Sequence, residues 1–278
     1  MIQRSYDDSP SLYLIPTPIG NFDDITIRSL NVLKSIDELL CEDTRTTGLL
    51  LKHFDIRKKM TSCHEYNEDK MIDYVVNKLK KGYNLGLVTD QGSPVISDPG
   101  FVIARAVIEA GYNVISLPGA TAFVPALSSS GIDPSPFVFY GFLNSKNNKQ
   151  LQELKKLKDI NYSIIFYESV HRIKNTLENI MSVFGDRYIC IGREISKIYE
   201  EYARGKISEI ISIVDDMKGE FVIIVEGNKN IVDFSDLDIV EHVKLYLDDL
   251  SEMDAIKKVA KERKVPKSLI YNEYHKRK

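Results

Sequence analysis

The chain has 278 residues, 43% hydrophobic and 28% charged, a composition that excludes wholesale disorder. At ~150 residues per domain this length predicts two domains and a small appendage. Its 37 basic and 40 acidic residues leave a net charge of −3, so no global basic field marks a nucleic-acid binder, and any such partner has to be held by a local patch. Cys41, Cys63 and Cys190 are widely spaced and form no Cys-x-x-Cys, which argues against a disulfide framework or a structural zinc. A polar, acidic N-terminal stretch and the lack of any ~18-residue apolar run predict a cytoplasmic protein without a membrane span.

In chain order, Leu12 to Ile15 is a compact apolar run ended by Pro16 and Pro18 and reads as a buried strand. The segment to Leu51 reads mainly helical, with a short strand at Glu38 to Cys41. Met71, Ile72, Val75, Val76 and Leu79 recur at helical spacing, and Gly82 stands past the end as a stop. A strand at Leu85 to Thr89, a helix from Phe101 to Ala110, a strand at Asn113 to Leu117 and a helix from Thr121 to Ser130 follow. This alternation predicts crossover units and a mostly parallel sheet.

Gly131-Ile132-Asp133-Pro134-Ser135-Pro136 punctuates the chain, after which the pattern restarts. We expect strands at Phe137 to Tyr140, Ser163 to Tyr167, Tyr188 to Gly192 and Glu220 to Val225, with an extended Tyr199 to Ala203. A basic loop is expected at Asn144 to Lys149, and helices at His171 to Phe184 and Ile207 to Met217. Gly227 to Asn230 reads as a hinge. The prediction is therefore an α/β domain over residues 11–131, a second over 136–228 and a helical tail over 235–278.

The tail changes sign along its length. Ile231 to Leu250 holds six acids and one base; Ser251 to Lys278 holds nine bases and four acids. In the basic part, Ser251 with Asp254 fits a helix cap, and Ala255, Ile256, Val259 and Ala260 follow at helical spacing. A Lys264-Val265-Pro266 turn then leads to a second short helix from Leu269 to Tyr274. Two helices across a tight turn with a basic face suggest a helix-turn-helix-like nucleic-acid module. The same pattern fits a solvated helical hairpin.

Several chemistries are absent from the sequence. There is no Gly-x-x-x-x-Gly-Lys phosphate loop, no Gly-x-Gly-x-x-Gly after the first strand, no His-Glu-x-x-His and no Gly-x-Ser-x-Gly. The five histidines are scattered without ligand spacing, so no metal is expected. What remains is a set of strand-end loops: Pro16 to Asn21, Asp90 to Pro94 with Ser97 to Gly100, and Pro118 to Ala122. Open α/β sheets bind ligands beyond the carboxyl ends of their strands, so these loops are where a ligand is expected.

The segments LYLIPTPIGN (Leu12 to Asn21), CEDTR (Cys41 to Arg45), VTDQGSPVISDPG (Val88 to Gly100) and LPGATAFVPALSSSG (Leu117 to Gly131) resemble the tetrapyrrole methylase superfamily. Together with YGFL (Tyr140 to Leu143), FYESVHR (Phe166 to Arg172), REISK (Arg193 to Lys197) and KGEFVIIVEG (Lys218 to Gly227), the chain is similar more closely to the ribosomal RNA small-subunit methyltransferase I family. The resemblance runs in order from Ser11 to Tyr274. It departs at Gln91 and Ser93, where that family carries Ala and Thr.

The resemblance implies a two-domain α/β fold with S-adenosylmethionine in the interdomain cleft, a homodimer, and methylation of a cytidine ribose 2′-oxygen in the decoding region of small-subunit (16S) rRNA. The partner would be that rRNA or the 30S ribosomal subunit. Carried over by position, Pro18 would face the cofactor, and Asp90, Gly92, Ser93 and Ile96 would hold its amino-acid and sugar portions. Thr121 and Ala122 would line the adenosine side, and Tyr167 would come from the second domain.

The 2′-hydroxyl is a poor nucleophile, so a base or cation beside it is expected to help remove its proton. Glu168 and His171, three residues apart after a strand, would share one side if a helix began there. Asp43 with Arg45, and Arg193 and Glu194 with Lys197, are the other charged clusters. Glu168, His171, Arg193 and Glu194 are taken as the catalytic candidates. Lys146, Lys149, Lys155, Lys156 and Lys158 form a basic run suited to RNA phosphate, or to a solvated helix face. Two other readings stay open: a small-molecule (tetrapyrrole-type) methyltransferase of the same superfamily, and a metabolite-sensing nucleic-acid-binding regulator.

Overall fold

In the computed structural model, which describes all but residues 1, 6, 230–233, 235, 236, 264, 277 and 278 and the side chain of Asp216, the first sheet is wholly parallel. Its strands are β1 (Ser11–Leu14), β2 (Glu38–Cys41), β3 (Met60–Ser62), β4 (Leu85–Val88) and β5 (Asn113–Ser116), in the order β3-β2-β4-β1-β5. Helices α3 (Glu68–Lys80) and α4 (Phe101–Glu109) cover one face, where Val75, Leu79, Ile103 and Val107 meet Leu12, Leu14, Leu85 and Leu87. Helices α1 (Ile27–Ser35) and α2 (Thr44–His53) cover the other, where Leu33 and Leu51 meet Ile15, Leu39, Cys41 and Val88. Burial on both faces is why β1, β2 and β4 read as nearly unbroken apolar runs rather than alternating ones. Each run ends with its carboxyl end at a Pro-, Gly- or Asp-rich loop.

The second sheet lies after residue 136. It comprises β6 (Phe137–Phe142), β7 (Ser163–Ser169), β8 (Tyr188–Arg193), β9 (Glu201–Lys206) and β10 (Glu220–Val225), in the order β6-β7-β10-β8-β9. Only β6 and β7 pair in parallel; β7-β10, β10-β8 and β8-β9 are antiparallel. The expected parallel crossover is therefore present as β7 and β8, which run the same way, but β10 returns between them. Side chains alternate across the sheet with period two. Phe166, Ile191, Phe221 and Ile223 face α6 (Asn147–Leu157), α7 (Ile173–Phe184) and α8 (Ile207–Ile211). Ile165, Cys190, Val222 and Ile224 pack instead on Ala126 and Leu127 of α5 (Phe123–Ser129) and on Ile19. That shared cluster ties the two halves into one unit, Met1–Asn228.

Helix α6 begins inside the segment expected to be a loop. Its buried Gln150, Leu154 and Leu157 set one face, which leaves Lys149, Lys155 and Lys156 exposed on the other.

Lys229–Lys278 is a separate unit of α9 (Ile239–Lys244), α10 (Glu252–Glu262) and α11 (Lys267–Lys276) around Val243, Ile256, Val259, Ile270 and Tyr274. Ser251 caps α10 as expected, its side chain accepting the Asp254 amide at 3.3 Å. His242 is fully buried. Its Nδ1 accepts from Arg263 Nε at 3.0 Å, and its Nε2 lies 3.0 Å from Glu262, an arrangement that selects the neutral Nε2–H form. Asn230 of the expected hinge and Lys264 of the expected turn lie outside the described residues.

Candidate active site

Three loops at the carboxyl ends of the first sheet are locked to one another. Thr17 and Gly92 exchange both backbone hydrogen bonds, at 2.9 and 3.0 Å. Thr17 Oγ1 donates to the Thr89 carbonyl at 3.2 Å, and Ser93 Oγ donates to the Ala120 carbonyl at 3.0 Å. At Gly119 the backbone passes so close to Pro16 that a Cβ would lie 2.5 Å from the proline Cβ. The proline and glycine residues of these loops thus serve close packing between strand ends.

The segment after β4 is strained. Val95 has φ +77° and Ser97 φ +64°, values disfavoured for residues with a Cβ and severely so for a β-branched one. Two contacts hold it: Val95 N donates to the Pro99 carbonyl at 3.2 Å, and Gly100 N donates to the buried Glu68 carboxylate at 2.6 Å. A bulge in β6 completes the support. Gly141 has φ +81°, and a Cβ there would lie 2.8 Å from Ser97 Oγ. Such conformations cost about 1–3 kcal/mol each and persist where the surroundings over-determine them.

Between these loops and strands β7 and β10 lies a cavity of about 440 Å³. Its lining combines apolar residues, Ile19, Ile96, Phe142, Ile195 and Val222, with acidic ones, Glu42, Asp90, Asp98, Glu168 and Glu220. No Lys or Arg is among its lining residues. Burial, together with the carboxylates of Glu42 and Asp90, pushes the Asp98 carboxyl up to about 7. Burial also raises Asp90 and Glu42, and each of the two carboxylates adds to the cost of ionising its neighbours. A site of this kind favours a cationic organic ligand, which reduces the charge repulsion while its apolar body packs on the apolar lining.

The second half supplies fixed walls. Burial raises the pKa of Tyr167, whose hydroxyl accepts the Phe123 amide at 3.3 Å and joins β7 to α5. Glu168 is 2% exposed, and both of its oxygens are engaged. Oε1 accepts the Ser169 amide at 2.8 Å; Oε2 accepts Thr176 Oγ1 at 2.7 Å and pairs with Arg172 at 3.3 Å. At the rim, Lys197 bridges Glu194 at 3.0 Å and Glu220 at 2.8 Å, and Arg193 pairs with Glu201 at 2.6 Å. Burial opposes ionisation of Glu194, but Lys197 and the Glu220 amide outweigh it and lower its pKa.

Of the residues expected at the site, Asp90, Gly92, Ser93, Ile96, Thr121, Ala122, Tyr167 and Glu168 line this one cavity. Pro18 is buried one position before the lining Ile19, and Arg193 and Glu194 precede the lining Ile195 without lining the cavity themselves. His171 does not join Glu168. Strand β7 runs on to Ser169 and α7 starts only at Ile173, so His171 sits exposed in the turn between them. Asp43 and Arg45 form a local pair at 2.5 Å that holds Asp43 at about 2. Glu42, Asp98, Phe142 and Glu220 were not singled out as site residues. Glu42 and Asp98 lie in CEDTR and SDPG, directly after β2 and beyond β4, where position alone marked them.

The family model described as Tetrapyrrole (Corrin/Porphyrin) Methylases matches residues 11–211. A relative named Ribosomal RNA small subunit methyltransferase I from Bacillus subtilis (strain 168) is 44% identical, covering 96% of this chain and 95% of its own length. One of the same name from Halalkalibacterium halodurans is 42% identical over 98% of both. Among solved structures, the uroporphyrin-III C-methyl transferase from Thermus thermophilus complexed with S-adenyl homocysteine has a TM-score of 0.57 at 13% identity, over 78% of this chain and 97% of that one. The chain accordingly belongs to the tetrapyrrole (corrin/porphyrin) methylases and, within them, to the ribosomal RNA small subunit methyltransferase I family.

Proposed function

We propose that this protein is an S-adenosylmethionine-dependent methyltransferase that methylates the ribose 2′-oxygen of a cytidine in the decoding region of small-subunit (16S) rRNA. One observation carries the rRNA reading over a tetrapyrrole one. The shared methylase match ends at residue 211, whereas the relatives named for ribosomal RNA match 96% and 98% of the chain. That similarity reaches past the methylase region into the basic helical tail.

The cavity suits the cofactor. S-adenosylmethionine supplies a methyl group on a positively charged sulfur, and its ammonium adds a second cation. Asp90 and Glu42 offer the carboxylates that complement those charges. In this reading Asp90, Gly92, Ser93 and Ile96 hold the amino-acid and sugar portions, and Thr121 and Ala122 line the adenosine side. Pro18 stiffens the loop behind Ile19, and Tyr167 closes the wall from β7. The locked loops would keep a bound methyl donor in one orientation toward its acceptor; such orientation can be worth about 7–11 kcal/mol.

Glu168, saturated by its own neighbours, is a positioning residue of that wall rather than a proton acceptor. Arg193 and Glu194 brace the rim through Glu201 and Lys197. His171, exposed in the turn between β7 and α7, is assigned to the RNA-facing surface. Phosphate contacts fall to Lys149, Lys155 and Lys156 of α6 and to the basic tail. Small ribosomal subunits place the reaction in the cytoplasm, and among the described residues no helix is long and apolar enough to cross a membrane. A homodimer belongs to the same proposal; sedimentation at twice the 31.7 kDa chain mass is the expected result, and sedimentation at that mass contradicts it.

The acceptor class is tested with methyl-labelled cofactor offered small ribosomal subunits in one tube and a uroporphyrin-type tetrapyrrole in another. Label is expected in the RNA alone. Label in the tetrapyrrole alone would replace this reading with a small-molecule one.

A further inference from the structure

Five acidic residues are among those lining the cavity, and the carboxylates of four of them are already committed to protein donors. Asp90 Oδ1 accepts the Asp43 amide at 3.2 Å, and Glu42 accepts the Asp90 amide. Both oxygens of Glu168 are engaged, by Ser169, Thr176 and Arg172, and Glu220 is paired with Lys197. Asp98 is different: among the described residues it has no hydrogen-bond donor and no cationic partner. It nevertheless lies where burial is costly, within the field of Glu42 and Asp90 from the β2 and β4 loops and of Tyr167 from β7.

Its backbone setting is fixed. The strained turn through Val95 and Ser97 is pinned by the Pro99 carbonyl, by Glu68 on Gly100 N and by the close approach of Gly141. A carboxylate held by a rigid loop, facing a cavity and left without a donor, is available to take a proton from a bound group.

We infer, on the basis of the methyltransferase reading above, that Asp98 is the group that accepts the proton of the attacking ribose 2′-hydroxyl. The 2′-oxygen forms its bond to the methyl carbon as the carbon–sulfur bond breaks. The electron pair of that bond stays on sulfur, which becomes a neutral thioether, and the hydroxyl proton passes to the Asp98 carboxylate. No other reactant is needed. Before a cation enters the cavity, burial and the acidic neighbours hold the Asp98 carboxyl at about 7, so it binds a proton more strongly than an ordinary carboxylate does.

The test compares the wild type with Asp98→Asn and Asp98→Glu in single-turnover methyl transfer to small-subunit RNA, with cofactor affinity measured by titration and folding by thermal melting. Asp98→Asn is expected to bind cofactor within about threefold of wild type, to transfer at least ~10²-fold more slowly, and to lose the rise of rate with pH. Asp98→Glu keeps a carboxylate and is expected to recover at least about a tenth of the wild-type rate. Transfer by Asp98→Asn near the wild-type rate, equal losses in both variants, or losses that track cofactor affinity would overturn the inference. Failure of the underlying reading looks different, because the wild type itself would then leave RNA unlabelled.

Discussion

Asp98, Asp90 and Glu42 approach one another because two strand ends, those of β2 and β4, deliver them to one cavity, and the cost of that approach has a measurable sign. The Asp98 carboxyl stands at about 7 against its ordinary 3.8. Between those values the folded chain keeps a proton that the unfolded chain has released, so the contribution to stability is full below about pH 4 and is lost as pH rises through 7. Asp98→Asn removes the loss. Without cofactor, the variant is expected to melt above the wild type at pH 8 and level with it near pH 4; a wild type that melts higher at pH 8 contradicts this assignment of charge. At the same scale, the loops that carry Asp90, Gly92, Ser93, Thr121 and Ala122 were legible in the sequence, because Pro-Gly and Asp-Gln-Gly punctuation after apolar runs marks strand ends, whereas the individual residues came with the family resemblance. Asp98 was not legible, since nothing in SDPG tells that its aspartate faces inward. That depends on the φ values at Val95 and Ser97, which are imposed from outside the loop. His171 was misplaced for a smaller reason, two extra strand residues at the end of β7.

Among elements, the most consequential contact is the one between α3 and the loop after β4. Glu68 in the first turn of α3 is 7% exposed and accepts the Gly100 amide at 2.6 Å. Glu68→Ala leaves that buried donor unsatisfied, which costs about 1–3 kcal/mol, and releases the loop that carries Asp98. Urea unfolding is expected to show the loss of stability and titration a weaker cofactor affinity; an unchanged affinity would mean that the loop is held without Glu68. The periods of the strands and helices could be read directly, and most elements fall where apolar spacing put them. Strand direction in the second sheet could not. Helices between strands imply parallel neighbours, which holds for β7 and β8, but β10 enters between them after β9 and α8, and a period-two pattern is the same whichever way a strand runs. The three-residue β3 was too short to leave a periodic signal.

For the molecule as a whole, acid and base are divided by task. The cavity gathers carboxylates, while exposed lysines stand on α6 and on the tail unit. Because the net charge is only −3, the proposed function puts RNA affinity on these local patches. Lys261→Glu with Lys267→Glu, both exposed on the tail, is expected to weaken small-subunit binding and to flatten its salt dependence by about one unit of log–log slope per lysine lost. Cofactor affinity is expected to stay unchanged. Unchanged RNA binding would assign the phosphate contacts to α6 alone. The division into a methylase region and an RNA-directed tail rests in turn on the acceptor being ribose in rRNA. That claim is met most directly by one measurement: small subunits from cells lacking this gene are incubated with the protein and methyl-labelled S-adenosylmethionine, and their RNA is hydrolysed with alkali. A methylated 2′-oxygen cannot attack the adjoining phosphate, so the account predicts label in an alkali-resistant dinucleotide. Label released as mononucleotide would place the methyl on a base and contradict it.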